Sequence, residues 1–115
     1  MSIAYWDVFD VLAEAMPECP PAPDDWEDRL SYIYINDIVR YVCKWAYPDF
    51  EPLLKRFAAL MERLFIEGDE NVQDLAHDAL EAVWDHREEG VFVAKYFEPR
   101  TREVWLRICA GEHSQ

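Results

Sequence analysis

Either side of Gly68-Asp69 the apolar residues of this chain return every three or four positions, and that spacing constrains the fold more than any other feature. Upstream, Leu53, Leu54, Phe57, Leu60, Met61, Leu64 and Phe65 form one stripe; downstream, Val72, Leu75, Ala76, Ala79 and Val83 form another. This is the period of an α-helix, since a strand would alternate every second residue. Two helices joined by so short a connection must lie side by side as a hairpin. Asp49 is placed to cap the first of them, with Glu51 in its first turn where a negative charge suits the helix dipole. Gly68 is expected to end that helix in a left-handed conformation. Asp69 then caps the second, which runs from Glu70 to about His86.

The remaining segments read the same way. Ser2 can cap a helix from about Ile3 to Met16, with Ile3, Trp6, Val8, Phe9, Leu12 and Ala13 on a shared face, and Pro17 stops it. Glu18 to Asp25 is proline-rich and acidic, which suits an extended connector. From Trp26 to Ala46, behind a cap at Asp24 or Asp25, the residues Leu30, Ile33, Tyr34, Ile38, Tyr41, Val42 and Trp45 keep the helical period. Val91 to Phe97 is short and apolar, and its length does not separate a helical turn from a strand. Pro99 fits the first position of a last helix that turns Val104, Trp105 and Ile108 inward, with Leu106 a further candidate, and stops near Gly111. The tail from Glu112 to Gln115 is expected to fray. The expected architecture is all-α: a compact bundle of about five helices in a single domain over 1–115, with a short extended segment near 91–97 as the alternative to a helical turn.

With 51% hydrophobic and 15% aromatic residues, the chain can bury a core without disulfides or a structural metal. Cys19, Cys43 and Cys109 are three and widely separated, so they are expected to be free thiols, with Cys43 and Cys109 buried at apolar helical positions. Met1 to Ala15 carries Asp7, Asp10 and Glu14 where a signal peptide would be basic and then apolar, and no apolar run approaches the roughly 20 residues of a membrane span. A cytoplasmic location is the expectation.

The formal net charge is −13, which makes nucleic acid an unfavourable direct partner and disfavours an anionic membrane surface. The charge is also unevenly laid out. Glu70, Asp74, Asp78, Glu81 and Asp85 fall within an arc of about 80° on one helix, opposite its apolar stripe. Like charges at this spacing destabilise a helix by roughly 0.2–0.5 kcal/mol per pair. From Leu64 to His86 there are seven acids and no Lys or Arg to relieve them. A charged outer face usually mixes signs, so a basic partner is the sharper explanation and a merely solvated face the plainer one.

A second acidic zone spans Asp7 to Asp28, where Asp7, Asp10, Glu14, Glu18, Asp24, Asp25, Glu27 and Asp28 occur with no basic residue between them. Trp6 and Trp26 border or lie inside it. Indoles among carboxylates suit a contact that reads a cationic surface through charge pairing and cation–π attraction, the alternative being that both rings belong to the core.

Catalysis is less well supported. Glu70, Asp74, His77 and Asp78 share a helical face and could in principle assist a metal-dependent hydrolysis. Helical metal motifs, however, draw Glu and His from two or more helices, and no second set is present. Ser31 lacks a glycine-rich elbow, Ser114 sits in the tail, and Gly68, Gly90 and Gly111 read as helix stops rather than as a phosphate cradle. No catalytic residue, metal or cofactor is expected.

Two stretches carry a resemblance. Phe65-Ile66-Glu67-Gly68-Asp69-Glu70-Asn71-Val72, running into Leu75, Leu80 and Glu81, and Tyr96-Phe97-Glu98-Pro99-Arg100-Thr101-Arg102-Glu103-Val104-Trp105 resemble small, acidic, helical bacterial immunity proteins of polymorphic-toxin loci, over roughly residues 50–108. The resemblance implies a protein that binds and blocks a cognate toxin with a basic active-site cleft, as a monomer or weak dimer, without chemistry of its own. On this reading the contact residues are Glu70, Asp74, Asp78, Glu81 and Asp85, with Asp24, Asp25, Trp26, Asp28 and Trp6. A metal-dependent hydrolase using the helix carboxylates, an acidic adaptor and a nucleic-acid mimic are the alternatives.

Overall fold

The computed structural model describes residues 2–19 and 31–111. Among them are six α-helices and no strand: α1 (Val8–Ala15), α2 (Ser31–Lys44), α3 (Glu51–Glu67), α4 (Glu70–Asp85), α5 (Glu88–Ala94) and α6 (Pro99–Cys109), with 3-10 turns at Tyr5–Asp7 and Pro48–Phe50. The all-α expectation holds, and the count exceeds five because the ambiguous segment near 91–97 contributes a helix of its own.

The hairpin at Gly68-Asp69 organises the molecule. Leu53, Leu54, Phe57, Leu60, Met61, Leu64 and Phe65 are all buried along α3, and Val72, Leu75, Ala76, Ala79, Leu80 and Val83 along α4. Helix α4 packs on α2, α3, α5 and α6, while α3 also receives α1 and α6. The buried side chains of all six helices join in one cluster, in a body of 34 × 29 × 26 Å. No helix among the described residues is long and apolar enough to cross a membrane.

Several local expectations are corrected, each for a visible reason. Gly68 is not left-handed; its φ of −74° and ψ of 148° are extended. Glycine is needed there for space, because a Cβ would stand 2.3 Å from the Leu64 carbonyl oxygen and 2.4 Å from Val72 Cγ1. Ser2 caps nothing, since Ile3 is extended and bridged to Gly68: its amide donates to the Glu67 carbonyl at 2.6 Å and its carbonyl accepts from Asp69 N at 2.9 Å. The first turn therefore begins at Tyr5, whose amide donates to Asp69 Oδ2 at 3.0 Å.

Asp49 lies inside the 3-10 turn that Pro48 opens, which leaves Phe50 at the N-cap of α3 with no side-chain cap. Gly90 does not stop a helix but sits within α5, where a Cβ would come within 2.0 Å of the Val83 carbonyl oxygen. That close approach seats α5 on α4, buries Val93, and sends the chain on through Lys95 and Tyr96 to a buried Phe97, which meets Trp105 edge-on at 5.6 Å. Neither Trp6, 79% exposed, nor Ile33, 51% exposed, joins the core stripe expected of it, and Leu106 also points outward. Val104, Trp105 and Ile108 face inward as expected.

Candidate partner-binding surface

Helix α4 owes its start to Asp69, whose Oδ1 accepts from Val72 N at 2.9 Å, and its orientation to the buried stripe from Val72 to Val83. With that stripe turned into the core, the opposite arc must face outward. Glu70, Asp74 and Asp85 are exposed, and Asp78 and Glu81 are half-buried.

On the α2 flank, Asn36 Nδ2 donates to Asp78 Oδ2 at 3.2 Å. Asn36, Asp78, Glu81, Ala82 and Asp85 line a depression of about 360 Å³. Three carboxylates in one such hollow present acceptors to an ammonium or a guanidinium. On the α6 flank, His77 Nδ1 lies 3.7 Å from Glu81 Oε1 and makes no hydrogen bond. There Asp74 shares a hollow of about 280 Å³ with Phe65, Gln73, His77, Arg100, Val104 and Arg107.

The two arginines of that hollow do not neutralise the row. Arg100 Nη1 is bound to Glu103 Oε1 at 3.2 Å and Arg107 Nη2 to the same oxygen at 2.6 Å. Among the described residues, Glu70, Asp74, Asp78 and Asp85 make no ion pair with Lys or Arg. Elsewhere four more basic residues are engaged by carboxylates: Arg40 with Asp37, Lys55 with Glu51, Arg56 with Glu18 and Arg63 with Glu67.

Of the N-terminal zone, Asp24, Asp25, Trp26 and Asp28 lie outside the described residues. Trp6 is on the surface, and the bond from Tyr5 N to Asp69 Oδ2 places its backbone beside the residue that precedes Glu70. The start of the acidic row and the exposed indole are thus brought to the same end of α4. Periodicity within one segment gave no sign of that neighbourhood, because it is made by a hydrogen bond from a backbone amide to a carboxylate 64 residues away in sequence.

The thiols behave differently from one another. Burial, reinforced by Glu18, pushes Cys19 up to about 11, and burial, reinforced by Glu89, pushes Cys43 up to about 12, so both stay protonated at neutral pH. Cys109 is exposed, contrary to its expected burial, because α6 turns Val104, Trp105 and Ile108 rather than Cys109 toward the core. Among the described residues no group of three or more His, Cys, Asp or Glu side chains is arranged to hold a metal ion.

Sequence periodicity missed a third concave feature, between the end of α4, α5 and α6, where Trp84 and Trp105 face Arg87 and Val91. Trp84 lies about 60° around α4 from Glu81, between the apolar stripe and the acidic row. An indole at such a boundary position, followed at once by the helix end, is the signal that could have found it.

No curated protein and no solved structure matches the chain. One family profile does, that of a domain of unknown function, DUF7674, over residues 9–111.

Proposed function

The chain belongs to the DUF7674 family, whose function is not known; from the surface of this chain we propose that it is a non-catalytic, cytoplasmic, immunity-type inhibitor that binds a cognate protein toxin through the outer face of α4. The observation that carries this reading is the contrast in charge pairing: Glu70, Asp74, Asp78 and Asp85 have no Lys or Arg partner among the described residues, while Arg40, Lys55, Arg56, Arg63, Arg100 and Arg107 are each held by a carboxylate. Four acids that share one helix face and have no Lys or Arg partner among the described residues retain their attraction for an external cation. Long-range attraction of this kind raises association rates by about 10- to 1,000-fold at low ionic strength.

A toxin that cuts nucleic acid or nucleotides needs a cationic cleft, and carboxylates spaced along one helix can engage the Lys and Arg of such a cleft. The exposed Trp6, near the start of the row, supplies an aromatic anchor of the kind that dominates interface energies. The resemblance of 65–72 and 96–105 to immunity proteins supports the same reading.

The test is co-expression with the adjacent reading frame, with rescue of growth as the readout. Once a toxin is verified, changing Asp74, Asp78 and Glu81 together to Lys should slow association by at least about tenfold at low salt, and the difference should shrink as ionic strength rises. Association kinetics that do not change would reject this surface.

A further inference from the structure

Where α4 ends and α5 and α6 meet, a cleft of about 460 Å³ is lined by Trp84, Arg87, Glu88, Val91, Trp105 and Cys109. Its volume lies within the roughly 300–1,000 Å³ usual for small-molecule sites. The walls are two indoles, a valine and a thiol, and the one cation among them is Arg87.

Arg87 is held there at a conformational cost. Its φ of 57° and ψ of −112° make it the one non-glycine residue with positive φ among those described. Such backbone costs of order 1–3 kcal/mol for a residue with a side chain and is free to glycine. The chain nevertheless carries an arginine at this position. Its guanidinium carbon lies 4.5 Å from the Trp84 ring centroid, and it makes no ion pair with any described residue, whereas Arg40, Arg56, Arg63, Arg100 and Arg107 are all bound by carboxylates. Stacking on an indole occupies the face of a guanidinium and leaves its in-plane N–H donors available, the geometry that receives a carboxylate through two parallel hydrogen bonds.

From this we propose that the cleft binds a small organic monoanion with a flat apolar body, its carboxylate taken by Arg87 and its body laid against Trp105, Val91 and the edge of Trp84. Glu88 on the rim sets the charge limit, because a second negative charge on the ligand would meet that carboxylate. The site is separate from the acidic row and does not depend on the inhibitor reading.

The experiment titrates 2-naphthoate, and separately its uncharged and nearly isosteric amide, into the full chain while following the indole Nε1–H resonances, assigned with Trp84→Phe and Trp105→Phe. The expected result is saturable shifts of those two signals by the carboxylate, with the amide weaker by about tenfold or more, as one charge-assisted pair implies. Both Arg87→Gln, which keeps a side chain on the same backbone, and Arg87→Gly, which releases it, should abolish that preference. Equal affinity for the two probes would overturn the proposal by showing a merely apolar hollow, of the kind a partner's side chain could fill. So would an absence of shifts at millimolar probe, or an anion preference that survives the loss of Arg87.

Discussion

Helices α4 and α6 pack on each other but begin in different ways. The first amides of α4 are met by its own sequence, through Asp69 Oδ1 at 2.9 Å from Val72 N. Helix α6 has no side-chain cap of its own. Glu62, on α3, serves instead: Oε1 accepts from Thr101 N and Thr101 Oγ1, both at 2.8 Å, and Oε2 accepts from Arg100 N at 3.1 Å. Their charges differ as well. On α6, Glu103 is held by Arg100 and Arg107; on α4, Glu70, Asp74, Asp78 and Asp85 make no ion pair with Lys or Arg among the described residues. Helix α4 carries its cap in its own sequence, next to an outer face with acids and no Lys or Arg. The other is fixed by long-range bonds and balances its own surface.

Their C-terminal ends differ too, and the largest expected effect lies there. After α4 the chain must bring Gly90 against the Val83 carbonyl, where a Cβ would stand at 2.0 Å from the oxygen. Gly90→Ala should therefore force α5 away from α4 and destabilise the protein by about 3 kcal/mol or more, read from chemical denaturation. After α6, Gly111 has φ of +100° and open space around it, so Gly111→Ala pays only for backbone conformation, about 1 kcal/mol. Similar losses at the two positions would show that the packing at Gly90 relaxes easily.

Glu62→Ala falls between these. It orphans the start of α6 and the Oγ of Thr101, which is fully buried, and should cost about 2 kcal/mol. Burial raises the carboxyl pKa of Glu62, but the hydrogen bonds from Thr101 and Arg100 outweigh it and leave it below its ordinary 4.5. A carboxyl lowered in the folded state contributes stability that is complete above the unfolded value and is lost as pH falls through the folded one. The gap between Glu62→Ala and the parent should therefore narrow below about pH 4.5 and stay constant above it. A gap that widens with acid would assign the cap to another group.

The contrast between the helices also explains what the sequence could disclose. The α4 stripe, its cap at Asp69 and its acidic arc are all written within twenty consecutive residues, so periodicity and capping rules recover them. Pro99 likewise marked the start of α6. What escaped depends on contacts between distant segments: Glu62 reaching Thr101, Ile3 bridging Gly68, Gly90 pressed on Val83. Gly68 and Gly90 both looked like helix stops because a glycine kept for space is indistinguishable in sequence from one kept for positive φ. The row of carboxylates was legible; the cleft at Trp84 and Arg87 was not, since it needs α6 to supply Trp105.

The smallest effect is the most specific to the charge argument, because it should change sign between the helices. Asp85 is exposed at the last position of α4, where the helix dipole disfavours an acid, and it follows Glu81 by four residues. Asp85→Lys removes a repulsion, supplies a cation to the C-terminal end and creates an attraction to Glu81, so it should stabilise by about 0.5 kcal/mol. Glu103→Lys does the reverse on α6, breaking the contacts at 3.2 and 2.6 Å and placing a cation between Arg100 and Arg107, for a loss of about 0.5–1 kcal/mol. Both differences should fade at high salt, where exposed charges are screened. If Asp85→Lys destabilised instead, that end of the row would already be serving the fold, and the row's availability to a partner would have to rest on Glu70, Asp74 and Asp78 alone.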